Sequence, residues 1–351
     1  MQSSPNFKKF FHHCFSFLIG VMLFISLLVS TSPQPVSAKT DDSWIIPETI
    51  TAGQAHTCAI KTDGTLVCWG YNVDGQASPP AGLFTQVSTL HRHTCGLKID
   101  GTIACWGANE AGQSTPPAGT FTQVSVGYAH TCALKSNGTL DCWGDNYYGQ
   151  STPPPGTFTQ VSAGEFYTCG VESDGNLSCW GANNYGQSTP PFGTFTQISA
   201  GWLHNCAIQS DGALACWGFN LSGQATPLTG TFTHVSAGNF HTCGTRSDGT
   251  LACWGKDDDG QATPLAGTFT QVSGGTYHTC GLKSDGSLAC WGKNDFGQST
   301  PPSGFFGRAQ LGSGSYHTCG INSPGSLTCW GLNLYGQTIP PTGTFTQVSA
   351  G

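Results

Sequence analysis

The stretch HTCGLKSDGSLACWGKNDFGQ, residues 278–298, decides the architecture, because it recurs with few changes along the whole chain. Its first cysteine, Cys280, has counterparts at Cys58, Cys95, Cys132, Cys169, Cys206 and Cys243, the series advancing by 37 residues at each step. Cys319 follows after 39, since the segment 305–310 carries two extra residues. Ten positions beyond each lies a partner: Cys68, Cys105, Cys142, Cys179, Cys216, Cys253, Cys290 and Cys329, followed at once by Trp-Gly. These pairs absorb 16 of the 17 cysteines and 8 of the 10 tryptophans, so both residue types belong to the repeat. A fixed period of this length, built of short alternating runs, marks a propeller blade or a solenoid rung. No stretch sustains a helical apolar period beyond a turn or two, so the class is all-β.

Turn chemistry places the strands. Phe-Thr-Gln-Val-Ser-Ala is the first of each repeat, His-Thr-Cys-Ala-Leu-Lys the second and Thr-Leu-Ala-Cys-Trp the third. Between the second and third sits Ser-Asp-Gly, a three-residue loop of the kind closed by a left-handed glycine. With Thr62, Asp63 and Gly64 as the loop, Ile60 faces Leu66 and Cys58 falls opposite Cys68. Alternation makes that a non-hydrogen-bonded pair, with α-carbons about 4.5 Å apart, within disulfide range. Zinc is the competing reading, but zinc-binding cysteines are usually spaced two to four residues apart, and no such pair occurs here. One disulfide per repeat is therefore expected, each closing a short loop worth at most about 3 kcal/mol. Cys58, Ile60, Leu66 and Cys68 share one face of the hairpin, while Ala59, Val67 and Trp69 share the other. A sheet apolar on both faces is buried on both, as stacked blades are.

The bulk numbers agree. The chain has 351 residues, 49 glycines, 20 prolines and only 9% charged residues, well under the roughly one quarter of an ordinary soluble domain. Lys8 and Lys9, an apolar run from Phe15 to Val29 and Val36-Ser37-Ala38 read as a signal peptide over 1–38. A retained anchor is the alternative, but the run is shorter than a typical membrane span. Residues 39–47 read as a linker and 48–351 as the repeats plus a terminal extra strand. Without its leader the chain carries 10 basic and 19 acidic residues, a formal charge of −9. That balance argues against nucleic acid and anionic membrane as partners, both of which need basic patches. An exported chain meets the oxidising compartment that disulfides require.

The motif H-T-C-x-L-x-S-D-G-x-L-x-C-W-G-x-N-x-x-G-Q resembles the regulator of chromosome condensation repeat family. The 37-residue period is most similar to its secreted, cysteine-paired branch, which includes the type II β-lactamase inhibitory protein; plant crinkly receptor ectodomains share a similar version. The resemblance implies a β-propeller, here of about eight blades. Family members usually close with seven, whereas this chain has eight hairpins and then Phe345 to Gly351. Seven or eight blades close, with the terminal strand completing the ring or the array stopping midway. The resemblance also implies that an aromatic rim engages partners, as in the inhibitory relatives. Nucleotide exchange on a nuclear GTPase, the founder's role, conflicts with export, acidity and the cysteines.

Two segments vary among copies that otherwise barely change. One is the pair after Ala-Gly and the other follows Trp-Gly, and chain direction puts both at one end of the blades. They carry Tyr71, Tyr128, Tyr147, Tyr148, Phe166, Tyr185, Trp202, Phe219, Phe240, Tyr277, Phe296, Tyr316 and Tyr335. Aromatic side chains on loops of a rigid scaffold give large contact area at low entropy cost, so these are the candidate partner-binding residues. The competing reading is that they merely cap the blade ends. Seven recurrent histidines, His56, His93, His130, His204, His241, His278 and His317, are expected to hydrogen-bond between blades, because a catalytic group is needed once. Among unique elements, His91-Arg92-His93 has no partner motif, and Asp257-Asp258-Asp259 lacks the spacing of a calcium loop. The expectation is an exported, monomeric, non-catalytic binder of an extracellular protein or glycan, with no cofactor and no metal. An inhibitor of an extracellular enzyme is the specific alternative, and a propeller hydrolase or lyase the remaining one.

Overall fold

The computed structural model describes residues 56–61, 63–295, 297–301, 311–322 and 325–350. The segments read from sequence as signal peptide and linker lie outside these described residues. Within them, 24 strands form eight antiparallel sheets of three strands each. A representative blade consists of Phe84–Thr89, His93–Lys98 and Ile103–Gly107. In it, Cys95 pairs with Cys105 and Leu97 with Ile103, the register expected from the turn. Gly101 N–H donates to the Lys98 carbonyl at 2.9 Å, and Lys98 N–H to the Thr102 carbonyl at 2.8 Å. Gly101 has φ of 82°, which closes the type I turn with a left-handed residue. The Asp100 carboxylate accepts from both the N–H and the hydroxyl of Thr102, locking the corner.

All eight predicted disulfides form, with Cα–Cα separations of 4.1 Å. Both faces of each hairpin are covered by neighbouring blades. Cys58, Ile60 and Leu66 pack with Phe84, Val87 and Trp106 of the next repeat. Phe84 is only 3% exposed, and burying such a side chain contributes about 1.5–3 kcal/mol. Repetition of that junction distributes the core as a series of small clusters between blades rather than as one central nucleus.

The first hairpin, His56–Lys61 with Leu66–Gly70, obtains its third strand from the far end of the chain. Phe345–Ala350 pairs antiparallel with His56–Lys61, so the extra strand anticipated from sequence completes the first blade. Eight sheets rather than seven stand around one axis. Residues from repeats as distant in sequence as Leu90 and Ser315 line a common cavity on it.

Candidate functional site

Each blade junction is built from the repeat's polar residues. His56 Nε2 lies 2.7 Å from Thr94 Oγ1 of the next blade, and His93, His130, His204, His241 and His278 repeat the contact at 2.6–2.9 Å. The Thr94 hydroxyl in turn lies 3.2 Å from the Gln76 carbonyl. That carbonyl also accepts the Trp106 indole N–H at 2.8 Å. Burial pushes these histidines down to about 3 or 4, and they stay neutral. The expected blade-to-blade role is thus observed for these six histidines.

One junction uses different chemistry. Tyr167 occupies the histidine position, and its hydroxyl donates to the His204 carbonyl at 2.8 Å. Opposite it, Asn205 stands for threonine and donates to the Gln187 carbonyl at 2.9 Å. The two departures are one compensated exchange.

The innermost strands present a free edge toward the axis, and side chains of the preceding blade cover it. Val124, Val161 and Ile198 N–H groups donate to Gln86, Gln123 and Gln160 Oε1, each at 2.9 Å. Val126, Ala163, Ala200, Ala237 and Gly274 N–H groups donate to serine hydroxyls of the preceding blade. The Gln and Ser of Phe-Thr-Gln-Val-Ser are therefore edge caps, a role missed from sequence. At His234, which stands where that pattern has glutamine, the ladder is interrupted. Among the described residues no bond joins Gln197 to Val235, and His234 Nδ1 is buried without a partner.

The variable pairs are the tips of two-residue hairpin loops, as Gly127 N–H donating to the His130 carbonyl at 2.8 Å illustrates. The first residue of the pair turns to the axis: His91, Tyr128, Glu165, Trp202, Asn239 and Ser315 line a cavity of about 120 Å³. The second carries Phe166, Phe240, Tyr277 and Tyr316 outward, against the loops that follow Trp-Gly. Two aromatic arcs result. One runs from His91, stacked on Tyr128 at 4.3 Å, through Phe166 to Tyr148 and Tyr147. The other runs from Trp202 through Phe240 and Tyr277 to Tyr316, with centroids 5.0–6.1 Å apart. Tyr185 meets Phe219 and Tyr71 meets Tyr335 on the outer side. Twelve of the thirteen aromatics expected at the rim are thus placed, each half-buried or exposed, and Phe296 lies outside the described residues.

Charge is uneven around this face. Lys256 Nζ lies 5.6 Å from the centre of the Phe240 ring, and Lys293 Nζ 5.4 Å from that of Tyr277. Both lysines also pair with aspartates in their own loops, Asp258 and Asp295. Asp257 accepts from Ala262 N–H and Thr263 Oγ1, so the acidic triplet serves as loop scaffold and as Lys256's counterion. Arg92 grips Asp74 through two bonds of 2.8 and 2.6 Å. Glu165, by contrast, has no hydrogen bond or ion pair to its carboxyl among the described residues, and burial pushes it up to about 8. Its isolation was not legible in sequence, since it depends on what stands around it.

The repeat family described as regulator of chromosome condensation (RCC1) repeat matches residues 48–76, 85–113, 121–150, 158–187, 195–224, 232–261, 269–298 and 309–337, and the chain belongs to that family. The ectodomain of the receptor kinase CR4 of Physcomitrella patens is 30% identical over 69% of this chain and 72% of that one, with a TM-score of 0.56. The CRINKLY WD40 ectodomain of the Arabidopsis thaliana receptor kinase ACR4 is 30% identical over 70% and 92%, at 0.55. Prp20p of Saccharomyces cerevisiae is 17% identical over 71% and 83%, at 0.54, a likeness of fold alone. No curated protein sequence matches the chain.

Proposed function

We propose that the protein is an exported, non-catalytic propeller that binds an extracellular protein or glycan through the aromatic rim. The two arcs carry the reading: large rings, held edge to face or tilted on hairpin tips, form a preorganised surface at one end of a stiff scaffold. Proteins of this repeat family serve mostly as binding scaffolds without catalysis. Eight disulfides suit an oxidising compartment outside the cytosol. Inhibition of an extracellular enzyme is the special case in which the bound partner is an enzyme and the rim blocks its site.

Affinity capture from the culture supernatant of the producing organism, followed by titration of the captured partner, tests the reading. Replacing Trp202, Phe240 and Tyr277 together by alanine is expected to weaken binding at least about 30-fold, the loss of one or more hot-spot anchors. Undiminished affinity would discard the rim as the binding surface.

A further inference from the structure

The rim positions of neighbouring blades are occupied differently. At Phe240 and Tyr277 the protein supplies its own cation, since Lys256 and Lys293 follow Trp-Gly in those blades and lie over the rings. At Phe166 the residue following Trp-Gly is Ala182, and among the described residues no lysine or arginine lies over the ring. Beside it Glu165 faces the cavity between Tyr128 and Trp202, and its carboxyl meets no base. Among the described residues the lining contains no lysine or arginine, and its histidines, His91 and His234, are held neutral by burial. A carboxyl flanked by two aromatic side chains is a cation receptor by its chemistry: the rings contribute cation–π attraction and the acid the counter-charge.

We propose that the channel mouth at Tyr128, Glu165 and Trp202 receives a cationic side chain, an arginine or lysine presented by a partner protein. The inserted base does in this sector what Lys256 and Lys293 do in theirs. Insertion converts Glu165 to its ionised form, so binding releases a proton and tightens with rising pH. The groups facing Glu165 are His91 and Tyr128 on one side, Trp202 and Asn239 on the other, His234 across the cavity and Tyr167 beneath. His91 and His234 titrate near 4 and burial raises Tyr167 well above the usual phenol range, which leaves Glu165 to set the dependence. This deepens the proposed binding role and rests on it for the identity of the partner as a protein.

The test uses small probes on the whole secreted protein, followed by amide NMR. N-acetyl-arginine methylamide is compared with its uncharged isostere, N-acetyl-citrulline methylamide, and with methyl glucoside. The arginine probe is expected to bind at least tenfold more tightly than the citrulline one. Its affinity should rise roughly tenfold or more between pH 6.5 and 8.5, as an acid titrating near 8 ionises. In Glu165→Gln the affinity should be weak and flat with pH. Equal binding of arginine and citrulline probes, a pH-independent parent, binding of the glucoside alone, or no binding of the arginine probe overturns the inference. A rim-dependent partner with no arginine preference would overturn this inference alone, whereas a partner indifferent to the rim alanines would overturn the docking face itself.

Discussion

The indole N–H of Trp69 donates to the main-chain carbonyl of Gln337 at 2.8 Å, across 268 positions of chain. Trp106 makes the same bond to Gln76, and Trp143 to Gln113, between consecutive repeats. The junction between the first and last repeats therefore carries the same indole-to-carbonyl bond as the internal ones. Tyr71 against Tyr335 adds a ring contact at the same junction.

Weakening that junction should act on the whole ring. Trp69→Phe keeps the ring's apolar surface but leaves the Gln337 carbonyl without its indole donor, an expected cost of about 1–3 kcal/mol. Deleting residues 345–350 removes the inner strand of the first blade and should lower stability far more. Urea unfolding followed by tryptophan fluorescence measures both, and a deletion variant as stable as the parent would show that the strand is dispensable.

The buried histidines set the acid limit. Their folded pKa values lie at about 3 to 4, below the unfolded value near 6.5. Above pH 6.5 both states are neutral at these sites and stability is at its plateau. Below it the unfolded chain takes up protons that the folded chain refuses, so stability falls from pH 6.5 toward pH 4. His130→Tyr, copying the side chain that Tyr167 places in the same slot, should reduce by about one the protons taken up on unfolding in that window. Denaturation midpoints across pH 4–8 give the slope, and a flat profile contradicts the account.

Glycines at the hairpin tips are demanded by proximity. A Cβ on Gly275 would lie 2.5 Å from the Gly314 carbonyl oxygen and 2.8 Å from His278 Cε1. Gly275→Ala should destabilise by about 1–3 kcal/mol through that clash. Gly149 has open space but φ of 84°, so Gly149→Ala should cost about 1–2 kcal/mol through backbone strain alone. Crystal structures of the two variants separate the mechanisms, with main-chain displacement expected at Gly314 and none beyond the loop at Gly149.

The staples should be individually modest. Replacing Cys95 and Cys105 together by serine opens an 11-residue hairpin loop and should cost about 1–3 kcal/mol, since the hairpin is already local. Thiol titration of unreduced, denatured parent is expected to find none of the sixteen paired cysteines reactive.

The Gln and Ser caps of the inner strands should matter for order as well as stability. Gln123→Ala strips the buried Val161 N–H of its side-chain acceptor, with an expected loss of about 1–2 kcal/mol. Faster amide exchange at Val161, compared with Val124 in the same sample, is the local signature to measure.

The sequence by itself determined the blade. A turn of fixed length and a side-chain period of two place Cys58 against Cys68 and Ile60 against Leu66, because those relations are local and repeat eight times. It also pointed to a structural role for the histidines, since a residue copied in seven of eight repeats does not make a singular site. Tertiary structure decided the rest. Eight blades stand around the axis because small rotations between neighbours add up until Phe345–Ala350 meets His56–Lys61, a sum no single repeat encodes. Gln and Ser became edge caps only once inner strands of successive blades lay side by side. The aromatic residues of the rim were legible as a set, because copies could be compared position by position. Their division into two arcs was not, nor was the unpartnered carboxyl of Glu165 at the channel mouth, because burial and the absence of a neighbouring base are properties of assembled blades.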